Sequence, residues 1–180
     1  MVSQALQEWH GVRGDTLAAL DAQCGVVAAA APPDAVLEDA LIRGYVVLLA
    51  AQFQGFCRDL YSECVSAVVA TVPLAMQTLV QRQCNSRCEL AGANARYESI
   101  RADFERFNLS LTTAFDTHSP AAAGWVTTLG HMNAWRNTVA HGNPVAPPHG
   151  GPLSLASVRM WRAACDNLAG ALEVVVVASA

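Results

Sequence analysis

Near residue 140 the chain reads Arg136-Asn137-Thr138-Val139-Ala140-His141-Gly142. A guanidinium, a carboxamide and an imidazole thus fall within six residues. Imidazoles as a class titrate near ~6.5 and so take or give protons at neutral pH. One can take the proton of a ribose 2′-OH or protonate a leaving 5′-oxygen. A guanidinium fork braces the charge that builds on phosphoryl oxygens. Such a set can cleave an RNA phosphodiester with no metal. DNA lacks the 2′-OH and cannot react this way.

The spacing supports part of that reading. Asn137 lies one helical turn before His141, where it can hydrogen-bond the imidazole and set its tautomer. Arg136 lies five residues before His141, about 140° away on an ideal helix. The two converge only if the helix stops, and Gly142 and Pro144 supply the stop. The competing reading is structural. Cations near a helix C-terminus offset its dipole, and an Arg and a His five apart form a weak pattern. His131 and Trp135, on the same segment, are candidate cleft-lining residues, with ordinary packing as the alternative. His10, His118 and His149 have no such neighbours.

The elements that must position this segment are helices. Leu49, Phe53, Phe56, Leu60, Cys64 and Val68 step by three or four, and so do Tyr97, Ile100, Phe104, Phe107, Leu111 and Phe115. Val158, Trp161, Cys165, Leu168, Leu172 and Val175 repeat the pattern, whose period is about 3.6. Prolines, glycines and one capping Asp34 divide the chain into helices at about 3–29, 34–71, 74–89, 94–116, 120–141 and 154–177. The stretch from Pro144 to Pro152 reads as a loop. The four valines from Val174 favour strands, yet they end a strong helical stripe and read as its last turn. The expected fold is all-α: one domain over 1–180, a bundle of five to six helices with one long central helix.

Composition narrows the function classes. The chain has 180 residues, 53% hydrophobic and 14% charged, so a sizeable core is expected and disorder is not. All eleven basic residues other than His are Arg, and the net charge is −4. That charge argues against coating nucleic acid by bulk electrostatics, but it leaves room for a local phosphate site. Five arginines from Arg82 to Arg106 are interleaved with Glu89, Glu98, Asp103 and Glu105, the pattern of a solvated, ion-paired face. No stretch reaches ~18 uninterrupted apolar residues, and the first ten residues lack signal-peptide character. A cytoplasmic protein without membrane contact is the default expectation. The six cysteines form no CxxC pair and no metal-knuckle spacing, so free thiols and no metal or cofactor are expected.

Two stretches resemble a known family. Residues 129–142, which contain Arg136, Asn137, His141 and the following Gly142, resemble the signature of HEPN domains: an Arg, a polar residue, a short spacer and a His. Residues 41–61 are similar to the long helix of the HEPN branch that carries the "RN..AHG" form. One departure is Gln54, where many relatives carry Glu; it removes an acidic group from behind the site. The likeness covers about residues 34–142, with the C-terminal helix outside it. It implies a helical bundle, a homodimer, and a composite ribonuclease site in which Arg136, Asn137 and His141 are catalytic. RNA would be the substrate, in a toxin–antitoxin, phage-defence or RNA-processing setting, with an antitoxin or regulatory protein as a candidate partner. Some members lack activity, so the alternative is a non-catalytic module that binds a partner protein or a nucleotide.

Overall fold

A computed structural model describes residues 2–32, 34–86, 88–92, 94–142 and 151–178. Helix accounts for 84% of the chain, and no strand occurs among the described residues. Two side-chain caps start the first and the longest helices. Ser3 Oγ accepts the Leu6 N–H at 3.0 Å and opens α1 (Gln4–Glu8). A π-helical turn over Trp9–Arg13 joins it to α2 (Gly14–Ala28). The expected single helix over 3–29 is therefore bent, with Gly11 at φ −87° and ψ −112° inside the turn. The Asp34 carboxylate accepts the Leu37 N–H at 2.9 Å, the expected cap of α3 (Ala35–Thr71).

Helix α4 (Leu74–Asn85) follows Pro73 and buries no residue. A 3-10 turn (Glu89–Ala91) leads to α5 (Tyr97–Phe104), a second 3-10 turn (Glu105–Phe107) and α6 (Leu111–His118). Here the expected single helix over 94–116 is two. Asn108 sits in the left-handed region at φ +62°, which ends one helix before the next begins. Asn tolerates that conformation better than most residues. The apolar period runs on across the break, so spacing alone could not reveal it. Chain reversal completes the fold with α7 (Ala122–Ala140) and α8 (Leu155–Ala178). The four valines are helical, as expected.

The core is built on α3. Tyr45, Val46, Leu49, Phe53, Phe56, Cys57 and Leu60 are fully buried along one stripe, which α1, α2, α7 and α8 cover. Burying each large apolar side chain contributes ~1.5–3 kcal/mol. Trp9 is packed 5.7 Å, ring to ring, from both Phe53 and Phe56, and its indole N–H donates to Asp166 Oδ1 at 2.9 Å. Helix α3 is long and apolar enough to cross a membrane, but its buried stripe faces the other helices.

All six cysteines are free. Burial pushes the Cys57 and Cys165 thiols well up, and burial beside Glu63 pushes Cys64 up to about 12. Only thiolates react with disulfide reagents. In the native protein an aromatic disulfide reagent should therefore label half-buried Cys84 first, while Cys57, Cys64 and Cys165 stay unlabelled until denaturant is added. Rapid native labelling of more than two thiols, read at 412 nm or by mass spectrometry, would contradict this core.

Candidate functional site

Helix α7 turns Leu129, Met132, Asn133 and Trp135 into the core. Trp135 is 5% exposed, and its indole N–H donates to the Gly151 carbonyl at 3.2 Å. That bond ties α7 to the chain entering α8. His131 is half-buried. Neither residue lines the cleft formed at the end of this helix. His10 and His118 are exposed, and His149 lies outside the described residues, as does most of the loop expected over 144–152.

The helix ends where the sequence places the stop. His141 leaves helical geometry at φ −97° and ψ 5°, and its N–H still donates to the Asn137 carbonyl at 3.0 Å. Gly142 follows at φ +62°, and its N–H donates to Val139 O at 3.2 Å. This left-handed terminator favours glycine because a Cβ would crowd the backbone. The outcome is the convergence that a regular helix would not give. Arg136, Asn137 and His141 all line one open cleft of about 480 Å³.

The opposite wall of the cleft comes from Asn94, Arg96 and Ser99, none of them singled out by the sequence. Residues 94–96 are extended and lead into α5, which carries Ser99, and they are held by two asparagines one turn apart on α7. Asn94 Nδ2 donates to Asn137 Oδ1 at 2.9 Å, and Asn133 Nδ2 donates to the Ala95 carbonyl at 3.0 Å. Arg96 is thereby brought to the same cleft as Arg136, so two arginines line it. The run of arginines is thus not uniformly an ion-paired face. Arg101 pairs with Glu105 at 3.6 Å and Arg106 with Asp103 at 3.3 Å, but Arg96 belongs to the cleft.

One expectation changes. Asn137 was expected to hydrogen-bond the imidazole of His141. Its carboxamide oxygen instead accepts from Asn94 and from Arg136 Nη1, the latter at 3.1 Å. The physical reason is competition. The neighbouring wall offers an amide donor and the adjacent guanidinium a charged one, and charge-assisted bonds are the stronger kind. Asn137 therefore positions Arg136 and the 94–96 segment. The His141 side chain is exposed and has no hydrogen-bond partner among the described residues.

The approach to the cleft is anchored by Asp103, which is fully buried. Its carboxylate accepts from the backbone N–H groups of Glu89 at 3.0 Å and Leu90 at 2.8 Å, and from the Cys88 thiol at 3.3 Å. From the other side Arg58 donates to the Ala91 carbonyl at 3.0 Å, and Gln54 donates to the Leu90 carbonyl at 3.4 Å. Gln54 thus supports the turn that feeds the cleft wall, a task that needs a donor and that an ionised Glu would not perform. Among the described residues no group of three or more His, Cys, Asp or Glu side chains is placed to share a metal ion. No family model, curated protein or solved structure matches the chain.

Proposed function

We propose that the protein is a metal-independent endoribonuclease of the HEPN type. The observation that carries this reading is the single open cleft lined by Arg136, Asn137 and His141 together with a second cation, Arg96. In the reaction, the 2′-oxygen attacks the adjacent phosphorus as its proton is taken up. The bond to the 5′-oxygen breaks, and that oxygen receives a proton. The products are a 2′,3′-cyclic phosphate, which water opens to a 3′-phosphate, and a 5′-hydroxyl. His141 transfers the proton at one of these oxygens. Arg136, aided by Arg96, offsets the charge on the phosphorane oxygens. One chain presents one imidazole here, whereas both oxygens need proton transfer. The resemblance to HEPN domains supplies the second from a homodimer partner, with the ends of both α7 helices meeting near a two-fold axis.

The test is cleavage of a mixed single-stranded and hairpin RNA panel by purified protein in excess EDTA. Products should carry cyclic or 3′-phosphate ends, and DNA of the same sequence should survive. Cleavage that vanishes with the chelator and leaves 3′-hydroxyl ends would defeat the mechanism. Light scattering at micromolar concentration should give twice the chain mass. A strict monomer would remove the composite site.

The alternative is a cytoplasmic binding module for a nucleotide or a partner protein. A His141 imidazole with no hydrogen-bond partner among the described residues and the net charge of −4 favour it. Nucleotide binding without any cleavage, in a protein shown to be dimeric, would select this reading.

A further inference from the structure

A second cavity of about 270 Å³ adjoins the cleft, and Arg96 and Asn137 line both. It runs along α7 over Gly130 and Ala134, with Tyr97 and Val126 among its walls. That volume has room for one planar heterocycle. The lining is mostly apolar, but one buried polar side chain opens into it. Asn133 is 5% exposed, and its amide nitrogen is committed to the Ala95 carbonyl and, at 3.2 Å, to the Leu129 carbonyl. Its carboxamide oxygen accepts no hydrogen bond from a described residue, although it is not sealed away from the cavity. That oxygen is therefore open to a donor from water or a ligand. Glu98 lines the same cavity. Arg136 lies on the cleft alone, Asn133 and Glu98 lie on the cavity alone, and Arg96 is shared between them, so the acceptors are gathered at the end away from Arg136.

We infer that this second cavity is a nucleobase subsite that selects bases presenting an amino group. The inference rests on the ribonuclease or nucleotide-binding reading of the adjacent cleft. A nucleotide spanning the two places its phosphate between Arg96 and Arg136 and its base over Gly130. The base edge then donates N–H to Asn133 Oδ1. The Asn133 amide donors are already used, so an edge that offers only acceptors gains nothing there. Adenine, cytosine and guanine present an exocyclic amino group, whereas uracil's one edge donor, its ring N3–H, is flanked by two carbonyl oxygens that meet the acceptors Asn133 Oδ1 and Glu98 unfavourably.

Gly130 provides the test. It is exposed on α7, and a Cβ built there meets no atom within 4 Å. The Cβ of a substituent at 130 is therefore accommodated, Gly130→Leu places further bulk at the cavity that Gly130 lines, and helix propensity improves. The probes are adenosine, cytidine, guanosine and uridine 3′-monophosphates, with ribose 5-phosphate as the base-free control, measured by calorimetry. The wild-type protein should bind the three amino-bearing nucleotides about tenfold more tightly than ribose 5-phosphate, the scale of one base contact. Uridine 3′-monophosphate should fall between. In Gly130→Leu all four should approach the ribose 5-phosphate affinity, while the affinity for ribose 5-phosphate itself is unchanged. Gly130→Ala should give a smaller loss in the same direction. Equal binding of nucleotides and ribose 5-phosphate by the wild type, or a preference that survives Gly130→Leu, overturns the subsite. So does a Gly130→Leu protein that becomes monomeric with nucleotide binding intact, which would assign the groove to a second copy of the chain. The ribonuclease reading is judged separately. RNA cleavage with no base increment sinks the subsite alone, and a base increment lost in Gly130→Leu with no cleavage sinks the ribonuclease alone.

Discussion

Replacing His141 with Ala should lower RNA cleavage by ~10²–10⁴, the usual loss when a positioned acid or base is removed, and leave the fold almost untouched. The two halves of that expectation come from the same geometry. His141 stands at the C-cap of α7, exposed and without a side-chain partner among the described residues, so little packing is lost with it. Its value lies in where the imidazole can reach, across the cleft that Arg136 and Arg96 also face. The measurement is single-turnover cleavage beside a thermal melt. Undiminished cleavage in the variant would remove His141 from the mechanism. A large drop in Tm would recast it as a structural cap. Arg136→Lys should recover only part of the wild-type rate. An ammonium keeps the charge but cannot hold two phosphoryl oxygens in a planar fork, and it would not reproduce the guanidinium bond to Asn137 Oδ1. Asn137→Ala should be milder in rate than His141→Ala, because Asn137 acts on Arg136 and the 94–96 segment and not on the imidazole.

The largest stability change should come from a residue outside the motif. Asp103→Ala removes a fully buried carboxylate that satisfies the backbone N–H groups of Glu89 and Leu90. Orphaning the buried Leu90 N–H costs ~1–3 kcal/mol and the part-buried Glu89 N–H less, so a loss of about 2 kcal/mol is expected in urea unfolding. The Arg106 ion pair adds little, because the Arg106 side chain is 29% exposed and can turn to water. Asp103→Asn should lose less, since one carbonyl oxygen still accepts. The 88–91 turn leads into the segment that carries Asn94 and Arg96, so amide exchange of residues 89–96 should quicken along with any loss of cleavage. A change below about 0.5 kcal/mol, the range of ordinary surface substitutions, would mean that the turn is held by Arg58 and Gln54 instead.

The contrast between these two residues shows what each level of description can reach. The helical class was legible because burial on one face leaves a period of 3.6 in the sequence, and α3 and α8 follow their stripes closely. The stop at Gly142 was legible because a left-handed terminator has a residue preference. Both signals are local, set by the backbone of one segment. The break at Asn108 escaped because the apolar period continues through it. The Asn137 contact was misassigned because a one-turn spacing shows which partner is in reach but not which competitor wins. That competitor, Asn94, lies 43 residues away in the chain. The sequence by itself determined an all-α chain with a guanidinium, an amide and an imidazole at one helix end. Only the tertiary structure decided that Arg96 would face Arg136, that Asn133 would turn an unused acceptor toward a cavity, and that Asp103 would hold the turn between them. Each of those depends on a hydrogen bond or a shared wall between segments far apart in sequence. The free energy of such contacts comes from burial and from the partner, and no residue spacing encodes either.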